Sequence, residues 1–215
     1  MWRILFLLIA AKGMAAEMKQ ISERPLIYVI KNFLSERECD YLISYARAAL
    51  KPSRVADEKT AQNEMHEGRK SQNMWCSYGH GDPVITQIEE RIATLTGIPY
   101  SHGENIQVVH YTVGGEYKPH YDYFNPDTKG GAIHCQRGGQ RKASFLMYLN
   151  TPEKGGETVF PGSRIAITPI KGDALLFYNT DSSGQVDPST LHGGAPVLAG
   201  EKWLATRWLR ERPFE

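Results

Sequence analysis

From residue 104 onward the chain breaks into eight short runs: NIQVVHYTV, EYKPHYDYF, ASFLMYLN, TVF, RIAIT, DALLFYN, TLHGG and KWLATRWL. Each is rich in Val, Ile, Tyr, Phe, Trp and Thr, and clusters of Gly, Pro, Asn and Asp separate them. Runs of that composition between turn residues read as β-strands. Strands this short cannot bury an apolar face alone, so they must pair and stack. The expected architecture is mostly β with flanking helices (α+β), two sheets closing around an interior as a double-stranded β-helix or jelly-roll core.

Two helices precede the strands. In LSERECDYLISYARAALKP, Ser35 is a good N-cap and Glu38 stands three residues later, the signature of a capping box. Cys39, Leu42, Ile43, Ala46 and Leu50 follow helical spacing, and Pro52 is the expected stop. In DPVITQIEERIATLTG, Asp82 caps, Pro83 fills the first turn and Gly97 ends the helix. Val84, Ile85, Ile88, Ile92 and Leu95 form its apolar stripe. Residues 53–72 are polar and aperiodic, a loop or a flap over a ligand. The insert NPDTKGGAIHCQRGGQR, residues 125–141, reads as a loop over one mouth of the barrel.

The N-terminus, residues 1–16, has one Arg before a short apolar run and then small residues, and it resembles a secretory signal peptide. The run is too short for a bilayer, which needs ~20 apolar residues, so stable membrane insertion is not expected. Residues 17–215 then form a single domain. The expected location is exported (periplasmic, secreted or lumenal) if the leader acts as one, and cytoplasmic otherwise. Cys39, Cys76 and Cys135 include no CxxC pair, which argues against a structural zinc. Export would allow one disulfide and a leftover thiol; a reducing compartment would leave all three free. A formal net charge of +1 lacks the basic excess that phosphate contacts demand, so no nucleic-acid partner is expected.

Within EYKPHYDYF, His120 and Asp122 stand two apart and would project from the same face of a strand. An imidazole beside a carboxylate suits a divalent metal, and also an ordinary hydrogen bond. His192, in STLHGGAPV, is a second candidate, with two glycines after it that let the backbone approach closely. Two His and one carboxylate on one face of an octahedral ion leave positions open, the arrangement that suits ferrous iron in oxygenases. His66, His80, His102, His110 and His134 read as ordinary core or turn histidines. Lys202 opens an aromatic strand and shares a face with Leu204 and Trp208. A buried lysine is costly without an anion, so an inward Lys202 would call for a carboxylate from outside the chain. Thr158 and Tyr111 could each offer a hydroxyl to the same interior. Arg69 is the candidate contact residue of the polar stretch.

Taken in order, HYD, GGQR, LMYLN, GGETVFP, KGDALLFYN, LHGGAPV and GEKW resemble the collagen-type prolyl 4-hydroxylases, which are Fe(II)/2-oxoglutarate dioxygenases. The resemblance covers roughly residues 25–210 and implies hydroxylation of peptidyl proline to 4-hydroxyproline, coupled to decarboxylation of 2-oxoglutarate to succinate. It implies His120, Asp122 and His192 as iron ligands and Lys202 as the partner of the distal 2-oxoglutarate carboxylate, with Thr158 and Tyr111 beside it. It also implies Trp208 and Tyr117 as aromatics lining the site and Arg141 as a peptide contact. Dioxygen is the second co-substrate and L-ascorbate the expected reductant. The implied partner is a proline-containing peptide or protein, and the chain is expected as a monomer or homodimer. Two alternatives are another 2-oxoglutarate oxygenase, such as a lysyl hydroxylase, and a non-catalytic jelly-roll binding module.

Overall fold

The computed structural model describes residues 7–11, 14–56, 63–64, 67–76 and 81–214. His66, His80, part of the leader-like segment (residues 1–6, 12 and 13) and part of the polar stretch (residues 57–62, 65 and 66) lie outside the described residues. The strands in chain order are β1 (Leu7–Ala11), β2 (Met14–Glu23), β3 (Leu26–Lys31), β4 (Lys51–Pro52), β5 (Val55–Ala56), β6 (Asn63–Glu64) and β7 (Gln72–Trp75). They continue with β8 (Gln107–Tyr111), β9 (Tyr117–His120), β10 (Arg141–Tyr148), β11 (Lys154–Gly155), β12 (Thr158–Phe160) and β13 (Ile165–Ile167). The last four are β14 (Ala174–Tyr178), β15 (His192–Gly194), β16 (Val197–Ala199) and β17 (Lys202–Arg210). The helices are α1 (Glu36–Arg47), α2 (Pro83–Thr96) and α3 (Lys129–Gln136).

A nine-stranded sheet in the order β1-β2-β3-β14-β10-β17-β8-β7-β4 faces a four-stranded sheet in the order β13-β12-β15-β9. All eight runs expected after residue 104 are strands, and the two sheets form the expected jelly-roll core. β17 runs through the large sheet and is buried along its whole length. The two-residue period of a strand gives it two different faces. Trp203, Ala205 and Leu209 join Cys39, Leu42 and Ala46 of α1 and Ile88 and Ile92 of α2 in a helix-side core. Leu204 joins Leu146, Tyr148, Phe160, Leu175 and Phe177 in a second core between the sheets. Each fully buried Leu, Ile or Phe contributes ~1.5–3 kcal/mol, so both layers matter to stability.

The helix ends follow their capping chemistry. Ser35 accepts from the Glu38 amide while the Glu38 carboxylate takes the Ser35 amide, the expected capping box. Asp82 Oδ1 accepts from the Val84 and Ile85 amides at 2.9 and 3.0 Å, and Gly97 closes α2 in the left-handed region at φ 68°. α1 stops at Arg47, short of Leu50 and Pro52, because Pro52 belongs to β4 and the chain must already have turned toward β7. Cys39, Cys76 and Cys135 are all free thiols.

Three expectations require correction. Strands also occur before residue 104: β3 pairs with β14 and carries β2 outside it. Its apolar residues Ile27 and Ile30 are fully buried on opposite faces, so the simple alternation of a one-sided strand is missing. The run EYKPHYDYF is a strand only as far as His120. Beyond it the chain leaves the sheet, and Gln140 grips Phe124 from both sides, accepting its amide at 2.8 Å and donating to its carbonyl at 2.7 Å. The insert 125–141 is not a plain loop but contains α3, capped by Thr128. Two glycines of low helix propensity disguise that helix. One of them is required, since a Cβ at Gly131 would collide with the Asn125 carbonyl.

Candidate active site

At one end of the space between the sheets the lining turns polar and opens as a pocket. Its walls include Arg69, Tyr111, Tyr117, His120, Asp122, Thr158, His192, Lys202 and Trp208. The ladder between β9 and β15 sets His192 opposite His120, and their rings stand 4.4 Å apart between centres. The approach depends on Gly193, where a Cβ would meet the Tyr117 carbonyl at 2.8 Å. Asp122 arrives from the turn after β9, beyond the last paired residue of that strand, between His120 and the Phe124 backbone that Gln140 holds.

Asp122 Oδ1 lies 3.6 Å from His120 Nε2, and Asp122 Oδ2 lies 3.6 Å from His192 Nε2. The three ligand atoms fall within 4.8 Å of one another. His120 Nδ1 faces the Lys118 carbonyl at 2.8 Å, and His192 Nδ1 faces the Thr190 carbonyl at 3.0 Å. A carbonyl can only accept, so each Nδ1 carries a proton, and each Nε2 is the ring nitrogen that faces the centre. Burial pulls the His192 imidazole down to about 4, partly offset by Asp122, so it is neutral at pH 7. Burial alone would raise the Asp122 carboxyl, but His192, His120 and Arg141 outweigh it and hold the group well below the usual carboxylate range. Two imidazoles presenting Nε2 and one carboxylate, converging from one side, fit a ferrous ion with positions left open.

Lys202 sits opposite Tyr111 in the β8–β17 ladder and is 3% exposed. Its Nζ is 5.6 Å from the centre of the Tyr111 ring, and among the described residues no carboxylate forms an ion pair with it. Burial drags its pKa down to about 8, against a weak opposing pull from Glu157. Gly156 makes room beside the lysine stem: it has φ +77°, and a Cβ there would press on Lys202 Cδ at 3.3 Å. Thr158 Oγ1 accepts from the Tyr148 hydroxyl at 2.9 Å, which leaves the Thr158 proton free for the pocket. An ammonium and two hydroxyl-bearing side chains therefore face a space that would receive a carboxylate.

The remaining candidates divide. Tyr117 stacks on His120 with 3.5 Å between ring centres, and the Arg69 guanidinium lies 4.8 Å from the Tyr117 ring centre. Arg69 also donates to Gln107 Oε1 at 3.0 Å, so it braces the wall of the pocket. Arg141 does not join that lining. Its Nε and Nη2 donate to the two oxygens of buried Glu104 at 2.6 and 2.9 Å, and it lies 3.9 Å from the centre of the Trp208 ring. His102, His110 and His134 take no part in the pocket. Sequence reading passed over Gln107, Thr206, Ser144 and Tyr148. A usable signal existed: each is polar or hydroxyl-bearing at an inward position of an otherwise apolar strand.

A family model described as the 2OG-Fe(II) oxygenase superfamily matches residues 106–210, from the start of β8 to the end of β17. Among curated relatives, "Probable prolyl 4-hydroxylase 4" of Arabidopsis thaliana is 40% identical, over 93% of this chain and 72% of that protein. Prolyl 4-hydroxylase 5 of the same plant is 41% identical, over 91% of this chain and 72% of its own. Among solved structures, the viral collagen prolyl hydroxylase of Paramecium Bursaria Chlorella virus-1, as its 2OG complex, superposes with a TM-score of 0.67 at 31% identity. That match covers 86% of this chain and 95% of the viral one.

Proposed function

The chain belongs to the prolyl 4-hydroxylase family, and we propose that it hydroxylates peptidyl proline at C4 with ferrous iron, 2-oxoglutarate and dioxygen. The observation that carries this reading is the meeting of the His120–Asp122–His192 cluster and the buried Lys202, which has no ion-pair partner among the described residues, in one pocket. His120, Asp122 and His192 would hold the metal. When bound, iron and 2-oxoglutarate supply the dioxygen activation that replaces a hydrogen on the proline ring, with succinate and carbon dioxide as by-products.

The protein's part is binding, orientation and exclusion. Each imidazole is held by Nδ1 on a backbone carbonyl, which turns Nε2 toward the metal position. Lys202 gives the far carboxylate of 2-oxoglutarate a charge-assisted partner, and a carboxylate there returns the lysine to its charged form. Thr158 and Tyr111 add hydroxyl donors on the same side. Tyr117 and Trp208 give the peptide an aromatic wall, and Arg141 contributes to it through Trp208. The proposal includes L-ascorbate as the reductant that keeps the metal ferrous, and a proline-containing peptide acted on by a monomer or homodimer. It also includes export, which the composition of residues 1–16 favours, although Leu7–Ala11 and Met14–Glu23 are paired as strands at the edge of the large sheet.

The test is anaerobic addition of ferrous ion and 2-oxoglutarate, followed by air and a panel of proline peptides. A visible charge-transfer band, succinate release and a one-oxygen mass gain on proline are expected. A mass gain on lysine would move the substrate assignment to the lysyl alternative. No band and no succinate would leave a binding module.

A further inference from the structure

Asp122 carries a hydrogen-bond relay that the reaction chemistry does not call for. Ser144, on β10, donates its hydroxyl to Asp122 Oδ2 at 2.6 Å. Asn179, just past β14, donates from Nδ2 to the same Ser144 oxygen at 3.0 Å. Ser144 and Asn179 are fully buried, and Asp122 is 6% exposed. The direction of the relay follows from elimination. An ionised carboxylate only accepts, so Ser144 must spend its single proton on Asp122, and Asn179 must then present its NH₂ to Ser144.

Asn179 reaches the other buried ligand too. Its carbonyl accepts from the Asp187 amide at 2.8 Å. Asp187 caps the short 3₁₀ turn Pro188–Thr190, whose last carbonyl holds His192 Nδ1. One buried residue is therefore tied to two members of the triad, Asp122 just past β9 and His192 on the neighbouring β15.

We infer that Ser144, oriented by Asn179, is a positioning residue that occupies Asp122 Oδ2 and leaves Oδ1 to the metal. The inference rests on the assignment of His120, Asp122 and His192 as metal ligands. A carboxylate with one oxygen already engaged binds through the other. That keeps it from closing on the metal with both oxygens and taking a position the co-substrate needs. Ser144→Ala releases Oδ2 while removing a single buried oxygen atom. Asn179→Ala acts on the metal through Ser144, because the backbone carbonyl that serves Asp187 is kept.

The test is metal binding without turnover, using Co(II) alone and then Fe(II) with 2-oxoglutarate under nitrogen. Because the freed carboxylate loses the orientation that presents Oδ1, Ser144→Ala is expected to bind Co(II) ~10–100-fold more weakly, with an altered visible spectrum, and Ser144→Thr to recover most of the affinity. Asn179→Ala is expected to weaken binding less, and the double variant to bind like Ser144→Ala alone, because both act along one path. Thermal unfolding of the metal-free proteins accompanies each titration. Equal Co(II) affinity and spectrum in folded Ser144→Ala would overturn the inference, as would strictly additive losses in the double variant. Absence of metal binding by the unaltered protein would instead overturn the ligand assignment itself.

Discussion

Strand β17 buries three cations, Lys202, Arg207 and Arg210, and two of them, Lys202 and Arg207 on opposite faces, are equipped in opposite ways. Arg207 donates to the Glu104, Glu89 and Tyr100 carbonyls, each at 3.1 Å, and lies 3.5 Å from the Glu89 carboxylate. Lys202, as deeply buried, has no carboxylate partner among the described residues and depends on distant Glu157 for what little compensation it has. A cation whose work is to hold the fold together arrives with its acceptors already in place. A cation left short of them stores a mismatch that an incoming carboxylate can relieve.

The contrast can be tested hardest at the metal. His192→Ala or His120→Ala should remove succinate release to background while leaving the fold intact, as judged by circular dichroism. Substantial turnover in either would mean that the polar end of the inter-sheet space is not where the reaction occurs. The next largest effect separates the two cations directly. Arg207→Met should cost about 3–5 kcal/mol of unfolding free energy in urea, because it strands a buried carboxylate and three carbonyls. Lys202→Met should cost little or even stabilise. It should also raise the 2-oxoglutarate concentration for half-maximal rate by ~10–100-fold, the loss of one charge-assisted bond. Equal stability losses in the two variants would erase the distinction.

A smaller effect comes from pH. Lys202 is charged below about 8 in the ligand-free fold, whereas in the unfolded chain it stays charged up to the ordinary 10.5. The unfolded chain therefore binds the extra proton between those values, and stability of the ligand-free protein should rise with pH across that window. Over the same range 2-oxoglutarate should bind less well, about tenfold for each unit above 8, because the lysine must first regain its proton. Calorimetric titration of wild type and Lys202→Met should show the slope in the first and not in the second. The smallest effect is at Thr158. Thr158→Val removes one neutral donor, worth about 1 kcal/mol, and should raise the 2-oxoglutarate requirement roughly fivefold.

Much of this was legible in the chain. The eight strands after residue 104 announce themselves by composition and punctuation, and α1 and α2 by their caps, because both signals are local. Lys202 was readable as an anomaly, a charge opening an apolar strand. The convergence of His192 on His120 was not, because a ladder between segments about seventy residues apart carries no local mark. The i, i+2 argument joined His120 to Asp122 for an incomplete reason: the strand stops at His120, and Asp122 lies in the turn beyond it, bonded by Ser144. The Arg141–Glu104 pair and the Asn179–Ser144–Asp122 relay were hidden in the same way, by partners far off in sequence. β3 and α3 were missed because one is buried on two sides and the other is rich in glycine.

The two-residue period of β17 has a practical meaning for altering this protein. Positions 202, 204, 206 and 208 border the chamber, while Trp203, Ala205 and Leu209 rest on the helices. A library that randomises positions 202, 206 and 208 of this single segment, keeping Leu204 for the core between the sheets, could therefore search for new co-substrates without disturbing the helix-side layer. Tolerance and novelty are interleaved residue by residue along about thirty ångströms of backbone.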